Sequence, residues 1–485
     1  MPQPSLTDPT DREVATGPSP RLVVAILCLG GLTTSLVQTL VIPIQAELPT
    51  LLDTSRSNAA WVITATLLAG AVTMPVAGRL ADIFGKQRVL VISGLVLVLG
   101  SIVSALADSL TPMLIGRVLQ GMAMGYVPVA ISLVREVTPP RMNALAIAAI
   151  SATMGVGGSL AIPSAAWVAE SRDYHWIFWF TAALAVVTVL CTWFLVPHVH
   201  DAHPARLDLV GMVGLALGLG GLLVGVSKGN DWGWVEPTTW GCIVGGVLVL
   251  VAWGVHQVRH ADPLVDLRTT ARRPVLMTNI AGLMIGFGMM ASSIVVPQIL
   301  ALPAETGYGM GQSLLHAGLW MAPGGLVMLA MAPVSSRLIN SIGAQYTLAI
   351  GGGVLGVAYL LATFLMAEPW QMMLSMMISS AGVGIGFAAM PTLILNNVPM
   401  AEAGASVGLN GLMRSVGTTV AGAVMATVLT REMSIFAGLP IPSETAFKIC
   451  FVIGAVVAFA GALVALALPR RPAAEVAPAP VEQAA

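Results

Sequence analysis

"GRLADIFGKQRVL", residues 78–90, sets Arg79, Asp82, Lys86 and Arg88 close together in a chain that is only 9% charged and 56% hydrophobic. The stretch begins where one apolar run ends and stops where the next begins, so it reads as a very short joint between two buried segments. Gly78 and Gly85 permit tight turning and close backbone approach there. Asp82 is placed to accept from backbone amides or to face a helix N-terminus, and Lys86 follows one helical turn later. A second charged stretch, "LVREVTPP", offers Arg135 and Glu136 as partners for it.

Working outward, the chain alternates such joints with apolar runs of about 20 residues, the length a bilayer crossing requires. The mean hydropathy of +0.87 agrees with an integral membrane protein. Fourteen spans are expected, near 22–44, 59–80, 88–107, 111–134, 144–167, 176–196, 208–227, 239–258, 275–298, 313–334, 346–366, 370–394, 405–429 and 447–468. The runs lack the period-2 alternation of barrel strands, so an all-α fold is expected. The N-terminal "MPQPSLTDPTDREVATGPSPR" has neither a basic start nor a short apolar core and does not read as a cleaved signal peptide.

Charge placement gives the orientation. With the N-terminus inside, Arg12, Arg21, Arg79, Lys86, Arg88, Arg135, Arg141, Arg206, Arg259, Arg268, Arg272, Arg273, Arg337, Arg470 and Arg471 are cytoplasmic. Outside lie Arg56, Arg172, Lys228, Arg431 and Lys448, while Arg117 and Arg414 fall within spans and complete the 22 basic residues. Fifteen against five is a positive-inside asymmetry, and both termini are expected in the cytoplasm. A net charge of -1 gives no basic footprint for nucleic acid.

"PVAGRLADIFGKQRVL" (75–90) has an echo 258 residues on, "PVSSRLINSIGAQYTL" (333–348), with seven of sixteen positions identical. Two related halves follow from this: spans 1–6 and 9–14, with spans 7 and 8 inserted between them. Parallel six-helix repeats that rock about a midplane site are a transporter design. The expected organisation is a tail at 1–20, a first bundle at 21–200, an insert at 201–260, a second bundle at 261–469 and a tail at 470–485, both tails disordered. The echo keeps Arg337 and Gly343 but has Asn340 and Ala344 where Asp82 and Lys86 stand, so the two joints differ electrically.

These stretches resemble the major facilitator superfamily. "GRLADIFGKQRVL" is similar to its loop signature between spans 2 and 3, and "RVLQGMAMG" (117–125) to its fourth-span R-x-x-Q-G motif. "RLDLVGMVGLALGLGGLLVGVSKGNDWGW" (206–234) looks like the seventh span of the fourteen-span drug:proton antiporter branch. The resemblance implies two six-helix bundles plus two inserted helices, a small-molecule substrate and protons as the coupling ion. It also implies that Gly78, Asp82, Gly85, Lys86, Arg88, Arg135 and Glu136 form a latch between the halves, with Lys86 pairing Glu136 and Asp82 facing the second half. In the branch the first span commonly carries an acid where "SLVQTLVIP" has Val37, followed by Gln38. The span 5 signature keeps Gly158 and Pro163, with Ile162, Ala166 and Trp167 where glycines are usual.

No Asp or Glu falls in the interior of any expected span, and Arg117 and Arg414 are the only basic residues placed in a span interior. Each has a polar neighbour one turn away, Gln120 and Asn410. Either arginine is structural, bonding carbonyls, or lines the pathway; one facing a cavity would suit an anionic or neutral substrate better than a cation. Gln38 needs a protein or substrate partner, and His316 sits near the outer end of span 10. With Gln120, Pro163 and Asn410 these complete the candidate substrate or proton pathway. Of the 26 methionines, 18 follow residue 273, among them Met289, Met290, Met321, Met328, Met376, Met377 and Met390, and these suit either helix packing or an adaptable pocket.

Cys28, Cys191, Cys242 and Cys450 lie far apart in apolar runs without metal-ligand spacing. "GASVG" (404–408) opens a helix and lacks the strand-turn-helix context of a nucleophile elbow, and Gly85-Lys86 has no P-loop spacing. An enzyme and an ATP-driven motor are therefore not expected, and no cofactor or metal is. The expectation is a monomeric, multi-pass protein of the inner (plasma) membrane that exports amphiphilic drugs or metabolites by proton antiport, in the manner of multidrug resistance efflux. Uptake or lipid-like substrate handling is the alternative within the fold, and a non-transporting sensor or scaffold the alternative outside it.

Overall fold

The computed structural model describes residues 18–41, 44–45, 47–171, 173–198 and 206–468. Among these, fourteen helices are long and apolar enough to cross a bilayer. Spans 1–6 are Pro20–Thr39, Trp61–Phe84, Lys86–Ala105, Leu110–Val137, Pro140–Ser171 and His175–Leu195. The inserted spans 7 and 8 are Leu209–Trp232 and Pro237–Arg259. Spans 9–14 are Arg273–Ala301, Leu314–Ile342, Ala344–Ala362, Pro369–Leu395, Ala403–Arg431 and Glu444–Leu466. The expected tails lie outside the described residues except at 18–20, where Ser19 caps Leu22 N–H and Pro20 opens span 1.

Two departures from an all-helical reading have local causes. Span 4 tightens to a 3-10 turn at Ala123–Gly125, just before Pro128, whose ring nitrogen cannot donate to the preceding turn. Between spans 13 and 14 the strands Met433–Phe436 and Leu439–Pro442 pair antiparallel. Their two-residue turn, Ala437-Gly438, has φ of 49° and 80°, the positive values a tight hairpin needs.

The joint quoted at the outset is a single residue. Gly85, at φ 97°, ends span 2 and starts span 3, and Gly343, at φ 91°, does the same for spans 10 and 11. A side chain at such φ, with ψ of 135° and 158°, costs about 1–3 kcal/mol. The echo extends to function of the side chains: Gln87 donates to Val196 O at 3.0 Å and Trp193 O at 3.2 Å at the end of span 6. Gln345, at the matching position, donates to Leu466 O at 3.0 Å and Leu468 O at 2.9 Å at the end of span 14.

The halves share a buried cluster at the face of the glycine joints, and spans 5 and 10 stay in contact deeper in the membrane, where a Cβ at Gly325 would lie 2.4 Å from the Ser159 hydroxyl. On the face of the two glycine joints, Ala77, Ala81 and Val134 of the first half belong to one buried cluster with Ile394, Leu395, Ala403 and Val407 of the second. Toward the opposite face, the cluster around Leu36, Ile44, Val62 and Phe178 contains described residues of the first half alone.

The insert is seated across the seam between spans 2 and 13. Leu215, Leu219 and Leu223 of span 7 pack with Ala71 of span 2 and Leu409 and Leu412 of span 13. Toward the opposite face, Lys228 donates to Ser57 O at 3.0 Å and to Asp231 at 2.9 Å, and Asn230 donates to Ala423 O at 3.2 Å. At the joint face Asp208 caps span 7 through Gly211 N–H at 2.7 Å and accepts from Gln257 of span 8 at 2.6 Å, with His256 at 3.0 Å. His260 completes a group whose ligating atoms lie within 4.8 Å of one another. The carboxylate's capacity is taken by these neighbours, so the group ties spans 7 and 8 together.

Two expectations are corrected here. Span 7 runs to Trp232 instead of 227, which places Lys228 and Asp231 inside a helix; Lys228 is 1% exposed and its charge is met by Asp231, a backbone carbonyl and the Trp61 ring at 5.2 Å. Span 2 runs to Phe84 instead of 80, so Asp82 is an intrahelical acid, 3% exposed. Both helices continue because the charges face protein and not lipid.

Candidate functional site

Two places concentrate polar groups between the halves. The first is the joint. Both oxygens of Asp82 accept from the first backbone amides of span 13, Gly404 N–H and Ala405 N–H, each at 3.0 Å. An anion at a helix N-terminus satisfies donors that the helix cannot, and it complements the helix dipole. The approach is possible because both surfaces are bare: a Cβ at Gly78 would lie 2.1 Å from Gly404 O, and one at Gly408 2.3 Å from Met74 O.

Around it, Lys86 and Glu136 form a buried ion pair between the start of span 3 and the end of span 4. Arg135 donates across the seam to the carbonyl of Leu395, at the end of span 12. Gly78, Asp82, Gly85, Lys86, Arg135 and Glu136 are thus one contiguous assembly. Arg88 is not in it: the side chain is exposed and makes no hydrogen bond or ion pair among the described residues.

The second place is a narrow cavity between the halves, with room for one water molecule at most, at about 10 Å3. Thr34, Ser35 and Gln38 of span 1 face it, with Met74, Met124, Val127, Pro128, Met154 and, from the second half, Arg414. The span 4 turn aims Met124, Val127 and Pro128 inward. Arg414 lies 4.3 Å over the Phe387 ring, and its terminal nitrogen is 3.6 Å from the Met154 sulfur. Gln38 makes no hydrogen bond among the described residues and is half-buried.

The remaining pathway candidates lie elsewhere. Arg117, fully buried, donates to Val62 O and Val37 O at 3.1 Å each and to Gln120 at 2.6 Å; Gln120 passes the chain to Ser101 at 3.0 Å. This arginine fastens span 4 to spans 1 and 2 of its own half and does not line the cavity. Asn410 is buried on Asn279 at 3.0 Å, between spans 13 and 9. Pro163 lies in span 5 outside the cavity lining. His316 is exposed in the first turn of span 10, bonded to Ser313 at 2.8 Å. The methionines at the cavity are also not those of the Met-rich second half: Met321, Met328 and Met390 fill that half's core.

Sequence reasoning missed Met154 and Phe387, which no local pattern marks, and the receiving surface on span 13. For the latter a signal was available: "GASVG" has the small-x-x-x-small spacing of close helix contacts.

A helical membrane protein of two bundles with a polar site between them has the architecture of a transporter. The chain belongs to the Major Facilitator Superfamily, whose description matches residues 27–422. It is 22% identical over 417 residues to the MFS-type transporter YhcA of Bacillus subtilis (strain 168), covering 85% of this chain and 77% of that one. It is 26% identical over 371 residues to a protein of Pectobacterium carotovorum subsp. carotovorum (strain PC1) that carries the name multidrug resistance protein MdtD, covering 75% and 78%. In three dimensions it resembles the human organic anion transporter MFSD10, with a TM-score of 0.65 at 17% identity over 92% of this chain and 100% of that one. Its relatives and its fold are those of transporters and not of enzymes.

Proposed function

We propose that the protein exports amphiphilic small molecules from the cytoplasm by alternating access, driven by proton entry, as a multi-pass protein of the plasma membrane. The observation that carries this is the polar seal at the glycine joints: Asp82 of one half holds the first amides of span 13 in the other, while the cluster around Leu36, Ile44 and Phe178 toward the opposite face contains described residues of the first half alone. The excess of Arg and Lys beside the joints makes that face the cytoplasmic one, with both termini there. The structure then corresponds to a carrier closed toward the cytoplasm, with Asp82 and Arg135 as the cross-half latch and Lys86–Glu136 as its brace. Residues 21–200 and 261–469 act as the rocking bodies, and 201–260 as the insert. The name of the Pectobacterium relative supports efflux of drug-like compounds.

One observation favours the second reading, uptake or handling of lipid-like molecules: among the described residues no Asp or Glu lines the cavity to exchange a proton with a cationic drug. Sealed vesicles of both orientations, loaded with a compound panel and energised with or without a pH gradient, separate the two. Proton-dependent accumulation in inside-out vesicles is expected; accumulation only in right-side-out vesicles would reverse the direction, and no flux of any compound would remove the transport reading.

A further inference from the structure

From the central cavity we infer that the substrate is an amphiphilic anion, a carboxylate or sulfonate on an apolar body, held by Arg414. This rests on the transport reading and deepens it. Other basic groups packed between helices have conventional partners: Lys86 has Glu136, Lys228 has Asp231 and a carbonyl, and Arg117 has two carbonyls and Gln120. Arg414 has none of these. Its described contacts are a thioether sulfur and an aromatic face, neither of which carries a counter-charge. A guanidinium does not shed its proton to escape this situation.

The side chains around it combine donors for an anionic head group with an apolar rim. The guanidinium fork matches the oxygens of a carboxylate or sulfonate. Across the cavity, the uncommitted Gln38 amide can donate to the same head group, and the thioethers of Met74, Met124 and Met154 offer a surface that adapts to varied apolar bodies. No described carboxylate lines the cavity, so a cation would meet a like charge with nothing to offset it. The Arg414–Met154 contact also joins span 13 of one half to span 5 of the other. An anion that draws the guanidinium away from the sulfur exchanges a cross-half contact for a substrate contact, which links occupancy to the position of the halves.

The test uses the full-length protein in nanodiscs and proteoliposomes with three probes of one skeleton: anilinonaphthalene sulfonate, its neutral parent phenylnaphthylamine, and a trimethylammonium analogue. The sulfonate is expected to bind about tenfold or more tightly than either other probe, the worth of a charge-assisted pair. Arg414→Gln should erase that preference while leaving the neutral parent's affinity unchanged, which shows the variant is folded; Arg414→Lys should restore part of it. External sulfonate should also speed exit of labelled sulfonate. Equal or tighter binding of the ammonium probe, or a sulfonate preference that survives Arg414→Gln, overturns the anion site. If no compound crosses the membrane under any gradient, the transport reading fails instead, and the binding series still decides the anion site.

Discussion

Asp82→Asn changes little volume and removes the charge at the seam. In the structure both carboxylate oxygens accept from amides that open span 13, at 3.0 Å each, and the side chain is 3% exposed. Asparagine keeps one acceptor and turns an NH2 group toward an N–H. One charge-assisted bond, about 1.5–3 kcal/mol, is lost and the other falls to the neutral value of about 0.5–1.5 kcal/mol. The helix-end attraction, about 0.3–1 kcal/mol, goes as well. Against this, the neutral amide does not carry the desolvation cost of a buried carboxylate. A net loss of about 2–3 kcal/mol remains, which shifts the ratio of closed to open at this face by about 30- to 150-fold. Spin labels at Arg141 and Asn396, one on each half at the joint face, read this as a distance distribution in a cysteine-free background. The variant should show a new longer-distance population and slowed transport. If it reaches the membrane with an unchanged distribution and an unchanged rate, the latch reasoning is wrong.

Lys86→Gln leaves Glu136 buried without its charge partner and is expected to cost about 3–5 kcal/mol of thermal stability; adding Glu136→Gln should recover most of it in a melting curve. Gly343→Ala forces a side chain to φ 91° and should lower stability by about 1–3 kcal/mol without altering the spin-label distances, because no charge of that joint crosses the seam. At Asp208, burial pushes the carboxyl up, but the hydrogen bonds from His256, Gly211 and Gln257 together hold it below its usual value. A depressed carboxyl stabilises the fold above the unfolded value of about 3.9 and loses that contribution as pH falls through the folded value. Amide exchange at the start of span 7 should therefore accelerate below about pH 4, and Asp208→Asn should abolish that dependence.

Much of this was readable in the sequence because a bilayer enforces a simple rule: apolar runs of crossing length become helices that satisfy their own backbone. The fourteen spans follow from that rule and the two halves from the echo, while the latch role of Asp82 and Lys86 came from the family resemblance. Helix ends did not follow, since hydropathy stops counting at a charge; Asp82 continues its helix because amides across the seam, invisible along the chain, meet its charge, and Lys228 because Asp231 in the same helix and the Ser57 carbonyl meet its own. The same blindness left the two intramembrane arginines undecided. Arg117 and Arg414 each sit one turn from an amide side chain, yet one finds two carbonyls within its own half and the other faces the cavity. Met154 and Phe387 became site residues only through the meeting of spans 5, 12 and 13.

The echo itself divides the joint by physical role. Positions kept in both repeats act inside one half: Gly85 and Gly343 make the one-residue turn, and Gln87 and Gln345 cap the sixth helix of their own bundle. Where Asp82, Gly78 and Lys86 stand, the second copy has Asn340, Ser336 and Ala344, and Asp82 and Gly78 are the residues that press against the other half. Folding two bundles of the same shape demands the first set twice. Sealing one seam between them demands the second set once, since a single carboxylate needs a single helix end to hold. A duplicate latch would have to close the same face from the other side, where span 5 and span 10 already meet through Gly155 and Met328 without charge. Asn340 is exposed, so transplanting Asp82 and Gly78 onto 340 and 336 places the added carboxylate in solvent, where it gains no cross-half bond, and the spin-label distances of the symmetric protein should match those of the asymmetric one.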